Sequence, residues 1–257
     1  MFNRRIVSLC ILAACILALA SGCVSLGTNL PPDNPEPGQP PDTPSLSTLR
    51  GVIGLEGTDT VARPITVHIG SHQIVTTDGH FAISDLETGK HEIQVSAEHY
   101  QNYKGSIAVT SAPTAIEITL QIKYNKEDLD LLAGLVYAEA AGESHLGQVA
   151  VAASVLNRVT SPKYPNTLRG VIMQTVQIGG VDYYQYSPVL DGRVWELDPN
   201  SQPEAYAASL EAIYSALGGQ DPSQGATGFY NPSKVSPTSW VTTQPPTVKI
   251  GNHQFFL

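Results

Sequence analysis

The sequence predicts an α+β chain of several domains, a small all-β sandwich followed by a mainly α domain. Three observations carry this. From residue 51 to 122, short runs alternate apolar and polar residues and are broken by turn residues such as Asp78-Gly79. From Asn125 the apolar spacing changes to three and four, with Leu129, Leu132 and Val136 on one helical face. Ahead of both lie an apolar run and a proline-rich run that suit neither pattern. Composition agrees: 42% of the 257 residues are hydrophobic, as in ordinary globular proteins, and the 14% charged is low.

The first 22 residues read as an address. Arg4 and Arg5 precede an apolar run from Ile6 to Ala20. That run is shorter than the ~20 residues of a membrane span and has the layout of a secretory signal peptide. Ala20-Ser21-Gly22-Cys23 resembles the lipobox of bacterial lipoproteins, which makes Cys23 the expected lipidation site. Leu12-Ala13-Ala14-Cys15 also fits, but cleavage there would leave an apolar stub from Ile16 to Ala20. The expectation is a protein of the cell envelope, anchored to a membrane by its N-terminal lipid on the periplasmic or outer face. Val24 is compatible with outer-membrane retention in a Gram-negative organism.

Residues 23–50 read as a tether. Seven prolines between Pro31 and Pro44, separated by Asp, Asn, Gly and Ser, cannot build a core and favour an extended spacer.

Residues 51–122 read as the sandwich. Strands are predicted over 64–69, 72–77, 80–83, 91–97, 106–109 and 115–122, with Asp78-Gly79 as a hairpin turn. The runs Thr77-Asp78-Gly79-His80-Phe81 and Leu86…Gly89-Lys90-His91-Glu92-Ile93 resemble carboxypeptidase-regulatory-like modules. That resemblance implies a spacer or adhesion unit without chemistry of its own, and an envelope protein partner as its expected contact. His68, His72, His80, His91 and His99 include no pair at spacing two, so they are expected to be solvated strand residues and not metal ligands.

Residues 123–257 carry the helices. Asn125 caps the first, and the acids Glu127 and Asp128 fall in its first turn. The second runs from about 146 to 159 and the third over 168–174. The fourth starts at Ser201-Gln202-Pro203-Glu204, a capping-box spacing, and ends at Gly218-Gly219. From Gln220 onward, Gly, Pro, Ser and Thr predict loop with one short hairpin.

Charge and cysteine usage exclude several functions. The formal net charge is −9 and no Lys/Arg cluster exists, which argues against nucleic acid as a partner. The three cysteines lie within the first 23 residues, so a disulfide scaffold, a thiolate metal site and a cysteine nucleophile are excluded from the folded part. No cofactor is expected.

The candidate chemistry lies at the end of the first helix. The stripe of Leu129, Leu132 and Val136 continues to Glu139. A carboxylate there is partly desolvated, which raises its pKa as a general acid requires. Ala140, Ala141 and Gly142 leave room beside it.

The residues around Glu139 extend this reading. The runs Leu135-Val136-Tyr137-Ala138-Glu139-Ala140-Ala141-Gly142-Glu143, Gly147-Gln148-Val149-Ala150-Val151-Ala152-Ala153 and Leu156-Asn157-Arg158 resemble the catalytic domain of the spore-cortex-lytic cell-wall hydrolases. Further matches are Tyr164-Pro165-Asn166-Thr167, Gln185-Tyr186-Ser187-Pro188-Val189 with Asp191-Gly192, Phe229-Tyr230-Asn231-Pro232 and Ile250-Gly251-Asn252-His253-Gln254-Phe255. The chain departs from that family at Ala141, where arginine is usual, and over 175–184, which looks individual.

The resemblance implies a lysozyme-like domain that cuts peptidoglycan glycan strands, with Glu139 as catalytic acid. Glu143 matches the family's second glutamate and, with Gln185, Tyr186, Ser187, Tyr230 and His253, is a candidate substrate contact. One acid with no recommended nucleophile favours lytic transglycosylation over two-carboxylate hydrolysis. The alternative is a peptidoglycan-binding or envelope-assembly lipoprotein that kept the fold and lost activity.

Overall fold

The computed structural model describes residues 45–257. Cys23, the expected signal peptide and the proline run lie outside the described residues.

Seven strands form two facing sheets. They are β1 (Leu46–Leu55), β2 (Ile65–Ile69), β3 (His72–Thr76), β4 (His80–Glu87), β5 (Gly89–Ala97), β6 (Tyr103–Val109) and β7 (Thr114–Leu120). One sheet has the order β4-β1-β7, with β1 and β7 parallel, and the other the order β3-β2-β5-β6. Alternation puts Leu49, Ile53 and Leu55 of β1 into the core with Ile65, Val67, Ile69, Ile93 and Val95.

Three sequence expectations need correction here. β1 starts at Leu46, so the last residues assigned to the tether are strand. Their Ser-Thr-rich text hides an alternation in which Ser47 and Leu49 face inward. Asp78-Gly79 is a turn but not a hairpin. Thr76 Oγ1 donates to Asp78 Oδ1 at 2.7 Å and the His80 amide donates to the same oxygen at 3.0 Å, while β3 pairs with β2 and β4 with β1. Local side-chain bonds therefore shape the turn, and the two flanking strands belong to different sheets. The hairpin is β2–β3, joined by Gly70-Ser71. Finally, His99 is buried and lies outside the strands. Its Nδ1 is 2.7 Å from the Tyr124 hydroxyl, and burial drives its pKa down to about 3.

Five helices follow: α1 (Lys126–Ala140), α2 (His145–Thr160), α3 (Leu168–Ile172), α4 (Ser187–Leu190) and α5 (Pro203–Leu217). Asn125 Oδ1 accepts from the Asp128 amide at 2.8 Å, and Ser144 caps α2 through the Gly147 amide. Both α1 and α2 pack against α5 around Leu132, Leu135, Val151, Val155 and Ile213, all fully buried. The capping box predicted at Ser201 does not form. Pro203 takes the first helical position, Gln202 becomes the cap residue, and the Ser201 hydroxyl donates to Asp198 instead.

The segment after α5 is more ordered than its composition predicts. β10 (Gly228–Tyr230), β11 (Pro246–Ile250) and β12 (His253–Phe256) make a three-stranded sheet with β12 in the middle. The individual segment 175–184 is a hairpin of β8 (Thr175–Ile178) and β9 (Val181–Tyr184), exposed along both strands.

The two modules touch through a buried arginine. Arg63 donates from Nη1 to the Glu98 carbonyl and from Nη2 to the Ala216 carbonyl at the end of α5, each at 3.0 Å. A helix C-terminus carries partial negative charge and exposed carbonyls, so a guanidinium suits that position. The Ala62 amide adds a bond to the Gly218 carbonyl at 2.8 Å.

Candidate active site

The last turn of α1 forms the floor of a cleft of about 480 Å³. Glu139 is half-buried there, and burial raises its pKa above the ordinary carboxylate value. Arg193 and Lys234 oppose that rise and Asp191 adds to it. The apolar stripe behind Glu139 explains the burial: Leu132 and Val136 lie wholly inside the core.

The wall beside Glu139 depends on a glycine. Gly134, in mid-helix, lets the Val194 carbonyl pack directly on the α1 backbone, where a Cβ would collide with it. Val194 belongs to the short 3-10 turn Arg193–Trp195. The close approach brings Arg193 Nη1 within 3.1 Å of the Ala138 carbonyl, and Arg193 Nε pairs with Asp191 at 2.9 Å.

The opposite wall is aromatic. Tyr186, Phe229, His253 and Phe255 interlock, with the Phe229 ring 5.1 Å from His253 and 5.6 Å from Phe255. Arg158 lies 4.9 Å from the ring centres of both Tyr164 and Tyr186. Its Nε donates to the Thr227 carbonyl.

Three residues of this cleft each have a buried polar atom with no protein partner: the Tyr186 hydroxyl, Arg158 Nη1 and His253 Nδ1. Burial pushes the Tyr186 pKa up to about 12, so its hydroxyl keeps its proton and can donate. Burial also lowers the His253 pKa, which keeps the ring neutral. Unpaired buried polar groups are uncommon in folded proteins, and three in one cleft mark a place built to bind.

Most residues predicted from sequence meet here. Glu139, Gln185, Tyr186, Ser187, Tyr230 and His253 all line the cleft. Glu143 does not. Its two carboxylate oxygens accept from the Asn252 backbone amide at 3.2 Å and from Asn252 Nδ2 at 2.8 Å, which ties the start of α2 to the β11–β12 turn. Gly251, at φ 54°, makes room for that carboxylate. Ala141 is the exposed C-cap of α1, outside the lining. Asn157 Nδ2 donates to Asp221 at 3.0 Å. Trp195 and Trp240 are largely exposed. Sequence reading missed Arg193, in the short 3-10 turn, and Lys234, in a loop; neither segment is long enough to show a period.

Comparison with known proteins adds to this geometry. Residues 142–256 match the family model described as Cell Wall Hydrolase, and residues 62–125 match the PEGA domain. Glu139 lies three residues ahead of the first of these ranges. The second corrects the expected likeness to carboxypeptidase-regulatory-like modules. Small antiparallel sandwiches share turn and strand patterns such as Thr77–Phe81, and that text did not separate the two.

The spore cortex-lytic enzyme of Bacillus cereus is 39% identical over 132 residues, which cover 51% of this chain and 45% of that protein. Its Bacillus subtilis counterpart is 36% identical over the same length and is covered to 38%. The chain thus spans less than half the length of these curated relatives. Among solved structures, the catalytic domain of the germination-specific lytic transglycosylase SleB from Bacillus anthracis is 35% identical. The match covers 52% of this chain and 98% of that one, with a TM-score of 0.44.

Proposed function

We propose that residues 123–257 cleave the glycan strand of peptidoglycan by lytic transglycosylation, and that the chain is held at a membrane by lipid on Cys23. The observation that carries the reaction is the lone carboxylate of the cleft. Among the described residues lining it, Glu139 is the one acid, and Glu143 is engaged by Asn252. The cell wall hydrolase match and the cortex-lytic relatives support the substrate class.

Glu139 starts protonated, favoured by its burial. It gives its proton to the glycosidic oxygen as the bond from that oxygen to C1 breaks, and the leaving sugar departs with a free hydroxyl. The resulting carboxylate removes the proton from the C6 hydroxyl of the retained sugar. O6 bonds to C1 and closes a 1,6-anhydro ring, and Glu139 ends protonated again. No water is consumed. Gln185, Ser187 and Tyr230 of the cleft lining offer polar groups to the sugar, and the rings of Tyr186 and Phe229 offer it an apolar face.

The test is digestion of purified peptidoglycan by Glu139→Gln and Glu143→Ala. Glu139→Gln keeps the shape but cannot exchange the proton, so product formation should fall by about 10²-fold or more. Glu143→Ala should lower the melting temperature by loosening the 252 turn, while the folded protein still releases anhydro-ended muropeptides. Equal loss of activity with either variant in folded protein would contradict the single-acid mechanism.

A further inference from the structure

We propose that Lys234 recognises a carboxylate carried by the substrate, which makes the cleft selective for anionic glycan over neutral glycan. This rests on the glycan-cleaving reading and deepens it.

The charge distribution is the first observation. The chain is acidic, at net −9, yet the cleft is lined by three cations, Arg158, Arg193 and Lys234, against the single acid Glu139. A cationic cleft in an acidic protein concentrates anionic ligands there, while the rest of the surface repels them.

The second observation is how the three cations are used. Arg158 is held between two tyrosine rings and bonded to the Thr227 carbonyl. Arg193 is committed to Asp191 and to the Ala138 carbonyl. Lys234 has no carboxylate within ion-pairing distance among the described residues. Its side chain is exposed at the cleft mouth.

The loop that presents Lys234 is fixed. Asn231 Oδ1 accepts from the Ser233 amide at 2.9 Å and from the Ser233 hydroxyl at 2.6 Å, and the Lys234 amide donates to the Asn231 carbonyl at 2.9 Å. Lys234 lines the same cleft as Glu139 and His253. A carboxylate paired with Lys234 would therefore lie in the cleft that holds Glu139 and not on a separate surface.

Muramic sugars carry carboxylates of two kinds, the stem-peptide carboxylates and the lactyl carboxylate exposed once the stem is removed. Both share the chemistry proposed here.

The experiment reads binding rather than turnover. Full-length Glu139→Gln protein is sedimented with insoluble peptidoglycan, alone and combined with Lys234→Gln or Lys234→Arg. In this background Lys234 cannot act by tuning Glu139. Three substrates are used: native wall, wall whose carboxyls are capped with methylamine, and wall stripped of stems by an amidase. Lys234→Gln should weaken binding to native wall about fivefold, the scale of one partly exposed ion pair. Lys234→Arg should retain it. On capped wall the lysine and glutamine forms should bind alike. Dependence on Lys234 that survives stem removal assigns the lactyl carboxylate, and dependence lost with the stems assigns the peptide carboxylates. Equal binding with and without Lys234 on native wall would overturn the proposal, as would equal loss on native and capped wall. Lysine-dependent binding by a chain whose wild type releases no muropeptides would refute the catalytic reading alone.

Discussion

At the scale of single residues, the cleft separates two glutamates four positions apart. Glu139 is buried by the apolar stripe it continues, and Glu143 is turned out of the cleft by Asn252. The first of these was legible in the sequence, because helical periodicity reports which face is covered. The second was not. The Asn252 partner lies 109 residues away, and no local pattern announces a contact of that span. Lys234 and Arg193 were missed because a loop and a three-residue turn have no period to betray a side chain's side of the fold.

Burial of Glu139 also has a consequence for stability. A carboxyl whose folded pKa is raised is penalised in its ionised form. The penalty is absent below the ordinary glutamate pKa of ~4.3 and complete above the raised value. Wild type should therefore lose stability relative to Glu139→Gln as pH rises through that window. Thermal melts should show the glutamine form melting higher at about pH 8 and level with wild type at about pH 3.5. A glutamine form no more stable at the higher pH would mean that Glu139 is well solvated.

At the scale of elements, the start of the first helix was legible, and the others less so. Asn125 is a short polar side chain ahead of an apolar period and caps as its chemistry dictates, whereas Ser144 caps α2 unannounced and the box at Ser201 does not form. Pairing was less legible. Asp78-Gly79 formed its turn but joined two sheets, since partner choice rests on burial summed over whole strands and not on two residues. The short hairpin expected after Gln220 is β11–β12, but its third partner β10 escaped notice because it is only three residues long.

Gly134 belongs to this scale, because it sets the distance between α1 and the Arg193–Trp195 turn. In an exposed helix, Gly→Ala stabilises by about 1 kcal/mol. Here the added methyl meets the Val194 carbonyl, and overpacking of that kind costs about 1–3 kcal/mol. Gly134→Ala should therefore melt lower than wild type and lose cleavage, as Arg193 is displaced from the Ala138 carbonyl. A higher melting temperature would show that the turn yields freely.

At the scale of the whole molecule, the division into a β half and a helical half was legible from the change of period near Asn125. Their connection was not. Arg63 lies in a segment without regular structure, and nothing in its neighbourhood in sequence points to the end of α5, 153 residues on. Burial lowers the Arg63 pKa, and its Nε has no protein partner, so the guanidinium is held by the two carbonyls of different modules. The sandwich thereby contacts the helical half through backbone acceptors as well as through the peptide chain that joins them.

The central claim is that Glu139 works alone and that the sugar's own hydroxyl, not water, completes the reaction. Digestion of peptidoglycan by the wild-type chain in water enriched in heavy oxygen, read by mass spectrometry, tests this most directly. The account predicts anhydro-ended muropeptides, each lighter by one water than the hydrolysed product and free of heavy oxygen at C1. Reducing-ended products carrying one heavy oxygen at C1 from the start of the reaction would contradict it.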